Sequence, residues 1–156
     1  MSDVDDDAAL RRYGDALASA ADAASVRWLD RVVAVIPDHA RSEAVDVAIA
    51  QARARIEPEV QQPLRELLDT DIDEQRTNPL AILRRLVPIG TAVLDAAGAE
   101  PVARDRDAER LHPDDRYDLT PGSFADVDPA LHEPGMTWGA AKAHVHLARR
   151  RAEGRR

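Results

Sequence analysis

The chain has 156 residues, of which 44% are hydrophobic, 3% aromatic and 32% charged, and its net charge is −8. This length suits one domain that buries roughly two thirds of its unfolded surface, and the scarcity of large rings leaves a core of Ala, Leu, Val and Ile that favours close helix packing. The absence of cysteine excludes disulfides, thiolate metal sites and cysteine nucleophiles.

The charge is segregated along the chain. Residues 142–156 carry six basic side chains against Glu153 alone, a net charge of +5, which leaves −13 for the preceding 141 residues. The acidic start lacks the apolar stretch of a signal peptide, and the longest apolar run, 86–94, is too short to span a bilayer. We therefore predict a cytoplasmic protein with no membrane partner, an acidic flexible leader over residues 1–6 and a basic tail over 149–156.

Two apolar stripes with helical spacing follow the leader. The first predicts a helix of roughly eight turns that Pro37 closes; it consists of Leu10, Tyr13, Leu17, Ala20, Ala24, Trp28, Val32 and Val35. The second stays in phase across Pro58 and Pro63, so we predict two helical pieces that share one face and bend or separate near Glu57. It consists of Val45, Ala48, Ile49, Ala52, Ile56, Val60, Leu64 and Leu67.

The most apolar helix is predicted after an acidic hinge. Residues 77–79, Thr-Asn-Pro, are typical of a helix start with proline in the first turn. The stripe then runs to Ala97, and we expect this helix to be central. Pro88 should bend it, and Gly98 should end it through a left-handed cap.

The helical period disappears from Ala99 to Met136. A loop of this length in a small domain is uncommon and is usually functional or tightly packed. The last helix begins at Thr137 and ends at Gly154. We predict an all-α fold, a single domain over residues 7–153. It is a bundle of about four main helices with a long proline-rich segment, about 99–136, wrapped on it before the C-terminal helix.

Most histidines and several aromatic rings lie in residues 111–146. Imidazole and carboxylate are the metal ligands that remain without thiolates. On a helix, however, His144 and His146 lie about 200° apart, and Pro134 prevents a zinc-protease helix from starting at His132. A metal-binding or small-ligand-binding protein, or a hydrolase, would use Asp126, Asp128, His132 and Glu133 with either His144 or His146. Surface or hydrogen-bonded histidines explain the same residues, so we expect no cofactor and no catalytic residue.

The function that we favour is binding of another protein. Aromatic side chains dominate the binding energy of buried interfaces, and exposed rings in residues 111–146 would serve as anchors. We therefore predict a non-enzymatic adaptor or regulatory protein whose interaction residues are Tyr117, Phe124, His132 and Trp138. Helix faces rich in Ala also favour self-association, which leaves both a monomer and a symmetric dimer open.

Nucleic-acid association through the basic tail is the third hypothesis. It would use Arg149, Arg150, Arg151, Arg155 and Arg156, which are suited to phosphate contacts. The acidic body opposes it, and no aromatic platform for bases accompanies the arginines. Cationic side chains also stabilise a helix C-terminus in their own right, so we do not expect a nucleic-acid partner.

Two stretches of the C-terminal half resemble segments of small uncharacterised proteins of high-GC actinobacteria. The first is Gln75-Arg76-Thr77-Asn78-Pro79-Leu80, running to Gly98. The second runs from Tyr117-Asp118-Leu119-Thr120-Pro121 through Leu131-His132-Glu133-Pro134-Gly135 to Trp138-Gly139-Ala140-Ala141-Lys142-Ala143. The resemblance implies a small helical cytoplasmic protein and brings no activity, cofactor or site residue with it.

Overall fold

A computed structural model describes residues 2–69, 79–120, 147 and 149–154 of the chain. These residues form helices joined by turns and contain no strand, which confirms the all-α prediction. Much of the predicted proline-rich segment and the start of the C-terminal helix lie outside the described residues, whereas residues 147 and 149–153 are helical. Among the described helices, none has both the length and the hydropathy that a membrane crossing needs.

Helix α1, Ser2–Ala34, supplies one wall of the core. It begins at Ser2, so residues that we assigned to an acidic leader form its first turns; the positive end of the helix dipole favours acidic side chains there. Its buried positions recur at helical spacing: Leu17, Ala21, Ala24, Ser25, Trp28, Leu29 and Val32. The prediction was wrong for Val35, which is 70% exposed, because the helix ends at Ala34 and Ile36 turns inward instead.

A long helical segment forms the second wall. The chain passes through a short 3-10 turn, Asp38–Ala40, and helix α2, Glu43–Ile56, begins after Ser42. The Ser42 hydroxyl accepts the backbone N–H three residues further on at 3.3 Å, which satisfies one of the free amides of the first turn. Helix α2 continues through a π-helical turn, Glu57–Gln61, into helix α3, Gln62–Asp69.

The π-helical turn shows how the helix accommodates its prolines. The Gln62 N–H donates to the Glu57 carbonyl, five residues earlier, so the helix widens at the predicted position and is not split. In an α-helix each step of four residues overshoots a full turn by about 40°. A wider turn reduces this drift and keeps Ile56, Val60 and Leu64 on one buried face. The shared face that we predicted is confirmed.

The most apolar segment forms two helices, α4, Pro79–Leu83, and α5, Leu86–Ala96. The interruption lies at Arg84 and Arg85, one turn before Pro88. A proline ring clashes with the carbonyl four residues earlier, which here belongs to Arg84, whereas its missing N–H is not needed in a first turn. The irregularity that we predicted from Pro88 therefore occurs upstream of the proline itself.

Gly98 ends α5 as predicted. Its φ is +71°, in the left-handed region. The Ala99 N–H donates to the Leu94 carbonyl and the Gly98 N–H to the Asp95 carbonyl, both at 3.0 Å. These two bonds are the Schellman pattern, which satisfies the last carbonyls of a helix and turns the chain back.

Helix α5 lies at the centre of the described body, packed on both α2 and α1. Most of its circumference is buried, as we expected for the most apolar helix. Its contact with α1 is close because Gly90 lies against the indole ring of Trp28. The largest fully buried side chains come from α1, α2, the π-helical turn, α3 and α5: Leu29, Val45, Val60, Leu64, Leu86, Ile89 and Val93.

Candidate functional site

Residues 99–120, which we call the strap, return along α5 after Gly98. They contain helix α6, Arg106–Leu111, within the stretch where we expected no helical period. The Asp105 carboxylate begins this helix by accepting the Ala108 N–H at 2.7 Å. An N-terminal cap of this kind is worth about 1 kcal/mol, which helps to explain why six residues remain helical.

A mostly buried ion pair organises the turn of the strap. The side chains of Arg104 and Asp115 are 11% and 6% exposed, and Arg104 Nη1 lies 3.8 Å from Asp115 Oδ2. Arg104 also donates to the carbonyls of His112, at 3.2 Å, and of Asp115. The other oxygen of the Asp115 carboxylate accepts the Leu119 N–H at 2.7 Å. One guanidinium and one carboxylate therefore fix the chain from His112 to Leu119.

The C-terminal end of α5 holds the strap through Asp95. The Asp95 carboxylate accepts from the Arg116 guanidinium and from the Tyr117 hydroxyl, which has the Ala99 carbonyl as a second acceptor at 3.2 Å. The hydrogen bond to Asp95, together with burial, raises the pKa of Tyr117. Its ring is half-buried against the core. Tyr117, which we expected to be an exposed anchor, is thus part of the packing between strap and body.

The N-terminal end of α5 holds the strap through His112. Arg84 Nη1 lies 2.9 Å from His112 Nδ1, while Arg85 donates to the Glu59 carbonyl at 3.3 Å. A guanidinium carries donors only, so the imidazole nitrogen is the acceptor in this contact. The strap is therefore fastened at both ends of α5.

A groove, which we call the α5 groove, lies between these two attachments. Two adjoining clefts of about 180 and 420 Å³ share Pro88, Pro113 and Asp114. Helix α5 and the turn before it contribute Arg84, Val87, Pro88, Thr91, Ala92 and Asp95, and the strap contributes residues 111–116. Leu111 stands at the rim with 66% of its surface exposed. Two prolines and the Asp114 carboxylate lie in the middle of the groove, and charged side chains lie at both of its ends.

A larger cleft of about 640 Å³ lies between α1, α3 and the C-terminal residues. Both of its arginines are engaged: Arg65 pairs with Asp22, and Arg149 donates to the carbonyl of Asp69, at 3.0 Å, and to its carboxylate. Arg149 thereby satisfies the C-terminus of α3, where a cation is favoured. With its cations occupied, this cleft offers an anionic ligand little charge.

Only some of the predicted site residues belong to the part of the chain that the structure describes. Arg150 and Arg151 are exposed, as the nucleic-acid hypothesis requires, but Arg149 is engaged with the body. In the part of the chain that the structure describes, no group of three or more His, Asp or Glu side chains could hold a metal ion. The remaining predicted residues lie outside the described residues: Phe124, Asp126, Asp128, His132, Glu133, Trp138, His144, His146, Arg155 and Arg156.

The sequence indicated the segment that contains Leu111 and His112, but it did not indicate which residues of α5 and of the turn before it face that segment. Comparisons of the chain with protein-family models, with curated proteins and with solved structures found no match. A functional proposal therefore depends on the groove itself.

Proposed function

We propose that the protein is a non-enzymatic adaptor or regulatory protein that binds another protein through the α5 groove. The observation that carries this proposal is Leu111, a large aliphatic side chain that is 66% exposed at the rim of a groove walled by Pro88 and Pro113. Burying such a side chain contributes about 1.5–3 kcal/mol. A partner that covers Leu111 gains the share of this energy that belongs to the exposed two thirds of the side chain, without any change in the body of the protein.

The charge of the groove specifies the partner. The strap carries seven acidic residues against four arginines, and two of those arginines are bound to Asp115 and Asp95. Asp114, in the middle of the groove, is exposed and has no ion pair with the residues that the structure describes. Charge complementarity favours an oppositely charged partner. We therefore propose a polypeptide segment that places an apolar side chain beside a lysine or arginine.

The wrapped segment that we predicted from the sequence would extend this surface beyond Thr120. We propose that Phe124, His132 and Trp138 belong to it, and that binding takes place in the cytoplasm. The alternative occupant of the groove is a second copy of this chain, and the experiment has to distinguish it from a different protein.

The test is capture of a partner by the double variant Leu111→Ala, Asp114→Asn from a lysate of the source organism, with cross-linking mass spectrometry to locate the contact. We expect at least about a tenfold loss of capture, corresponding to about 1.4 kcal/mol, and cross-links of the wild type to residues 111–116. The melting temperature should hardly change, because surface substitutions alter stability by less than about 0.5 kcal/mol.

The control is the double variant Val35→Ala, Asp38→Asn, which changes an equally exposed aliphatic residue and a nearby exposed carboxylate at the end of α1. It should capture the partner as the wild type does. Equal capture by the groove variant, or cross-links that map elsewhere, would overturn the proposal. Cross-links between two copies of the strap would show that the groove binds a second copy of this chain and not a different protein.

A further inference from the structure

We infer that the contact between His112 and Arg84 is a pH-dependent latch that closes one end of the α5 groove. Its consequence for binding rests on the proposed function, whereas its opening and closing are properties of the free protein. The latch joins the turn before α5 to the end of α6, so it sets how far residues 111–114 stand from the groove wall.

The chemistry of the contact fixes its protonation state. An arginine side chain has no acceptor and stays protonated at any pH at which a protein is folded. His112 Nδ1, 2.9 Å from Arg84 Nη1, must therefore offer its lone pair, and the proton of the neutral ring must reside on Nε2. Protonation of the ring removes the acceptor and brings two cations together, so the same contact becomes repulsive.

Carboxylates near His112 favour a different position for the protonated ring. The titratable and charged groups that face His112 are Arg84 from the turn before α5, Glu109 from α6, and Arg104, Asp114, Asp115 and Arg116 from the strap. Asp115 is already paired with Arg104. Glu109 and Asp114 have no ion pair among the described residues, so both carboxylates attract an imidazolium toward the strap and away from Arg84.

The opening is local because the rest of the strap has its own attachments. Arg104 and Asp115 hold its turn, and Asp95 holds Arg116 and Tyr117 at the far end of α5. Loss of the latch therefore frees only the corner around His112. The latch is therefore closed while the imidazole is neutral and opens when the ring gains a proton, so acidification favours the open state.

The test uses the free, full-length protein. Imidazole nitrogen chemical shifts at about pH 8 should show His112 with its proton on Nε2. Hydrogen exchange of peptides covering residues 105–116, corrected for the intrinsic effect of pH, should be about tenfold faster at pH 5.5 than at pH 7.5, which corresponds to the loss of one hydrogen bond.

Two substitutions sharpen the test. His112→Gln keeps an acceptor for Arg84 at every pH, so its corrected exchange should not depend on pH. His39→Gln, which changes an exposed histidine in the 3-10 turn, should retain the pH dependence of the wild type. A proton on Nδ1 at high pH, or the same pH dependence in His112→Gln as in the wild type, would overturn the latch. Either result leaves the capture experiment untouched, and a failed capture experiment leaves the latch standing.

Discussion

At Gly90 the backbone of α5 packs directly against the Trp28 ring of α1. A Cβ atom at this position would lie 2.8 Å from Trp28 Cη2 and 3.0 Å from Leu119 Cδ1. Glycine inside a helix is less favourable than alanine by about 0.5–1 kcal/mol. With so few large rings in the chain, the packing of one buried indole against a bare helix backbone outweighs this cost.

We therefore expect Gly90→Ala to lower the free energy of unfolding by about 1–3 kcal/mol, the usual cost of overpacking a core. The alanine gains helix propensity, but its Cβ would lie 2.8 Å from the rigid, buried Trp28 indole, which would have to shift. Urea denaturation measures the change. Gly154→Ala is the matched control, because a Cβ there meets the Arg150 and Arg151 carbonyls at 3.4 and 3.9 Å, which are ordinary contacts. If Gly90→Ala is as stable as the wild type, α5 does not approach the Trp28 ring this closely.

At the scale of elements, the helical stripes could be predicted because burial repeats with the helix period. Pro58 and Pro88 marked where helices are disturbed, but the way each disturbance is relieved depends on packing. Val60 is fully buried beside the first proline, so continuity of the helix was favoured over a break. At Pro88, the clash between the proline ring and the Arg84 carbonyl is relieved by the interruption of the helix one turn upstream.

The candidate site was harder to predict from the sequence. The pairs that shape the strap join Arg104 to Asp115 and Asp95 to Tyr117, across 11 and 22 residues. Charged residues in a loop have no period, so no pattern in the sequence distinguishes these pairs from the other acidic and basic residues around them. The sequence identified the segment, and only the structure identifies the helix that it faces.

The ion pair between Asp22 and Arg65 joins α1 to α3, and Asp22 should make the stability of the protein depend on pH. One carboxylate oxygen binds Arg65, and the other is buried without a hydrogen-bond partner. Burial raises the pKa of Asp22 and outweighs the opposing effect of Arg65. The folded protein therefore holds this proton more tightly than the unfolded chain, so ionised Asp22 lowers stability at neutral pH, and the penalty disappears as the pH falls through the raised pKa.

The measurement compares the wild type with Asp22→Asn by urea denaturation between about pH 7 and pH 3.5. We expect the stability of the wild type relative to the variant to rise as the pH falls. Glu59 gives the opposite control, because its hydrogen bond from Arg55 lowers its pKa. The advantage of the wild type over Glu59→Gln should therefore shrink over the same range. A difference between wild type and Asp22→Asn that does not vary with pH would contradict the expected effect of burial.

At the scale of the whole molecule, the helices and the strap differ in what holds them. The helical body is held by a continuous apolar core that extends from α1 to α5. The strap is held by a few polar contacts and by Ala99, Tyr117 and Leu119, which pack on that core. Segments with few buried apolar contacts open at lower free energy than the core of the same protein. One wall of the α5 groove is α5, which belongs to the helical body, and the other is the strap. The shape of the groove therefore depends on the strap, which is the less stable of the two.

Asp115→Ala should separate the two units. It leaves the mostly buried Arg104 guanidinium and the Leu119 N–H without their carboxylate, a loss of about 1–3 kcal/mol for an unsatisfied buried group. We expect faster hydrogen exchange and new proteolytic cleavage within residues 99–120, while α1, α2 and α5 remain protected. Glu100→Ala, an exposed acidic position in the same segment, should change neither. If exchange instead rises equally in α1 and α5, the strap and the helical body unfold as one unit, and the groove cannot open independently of the core.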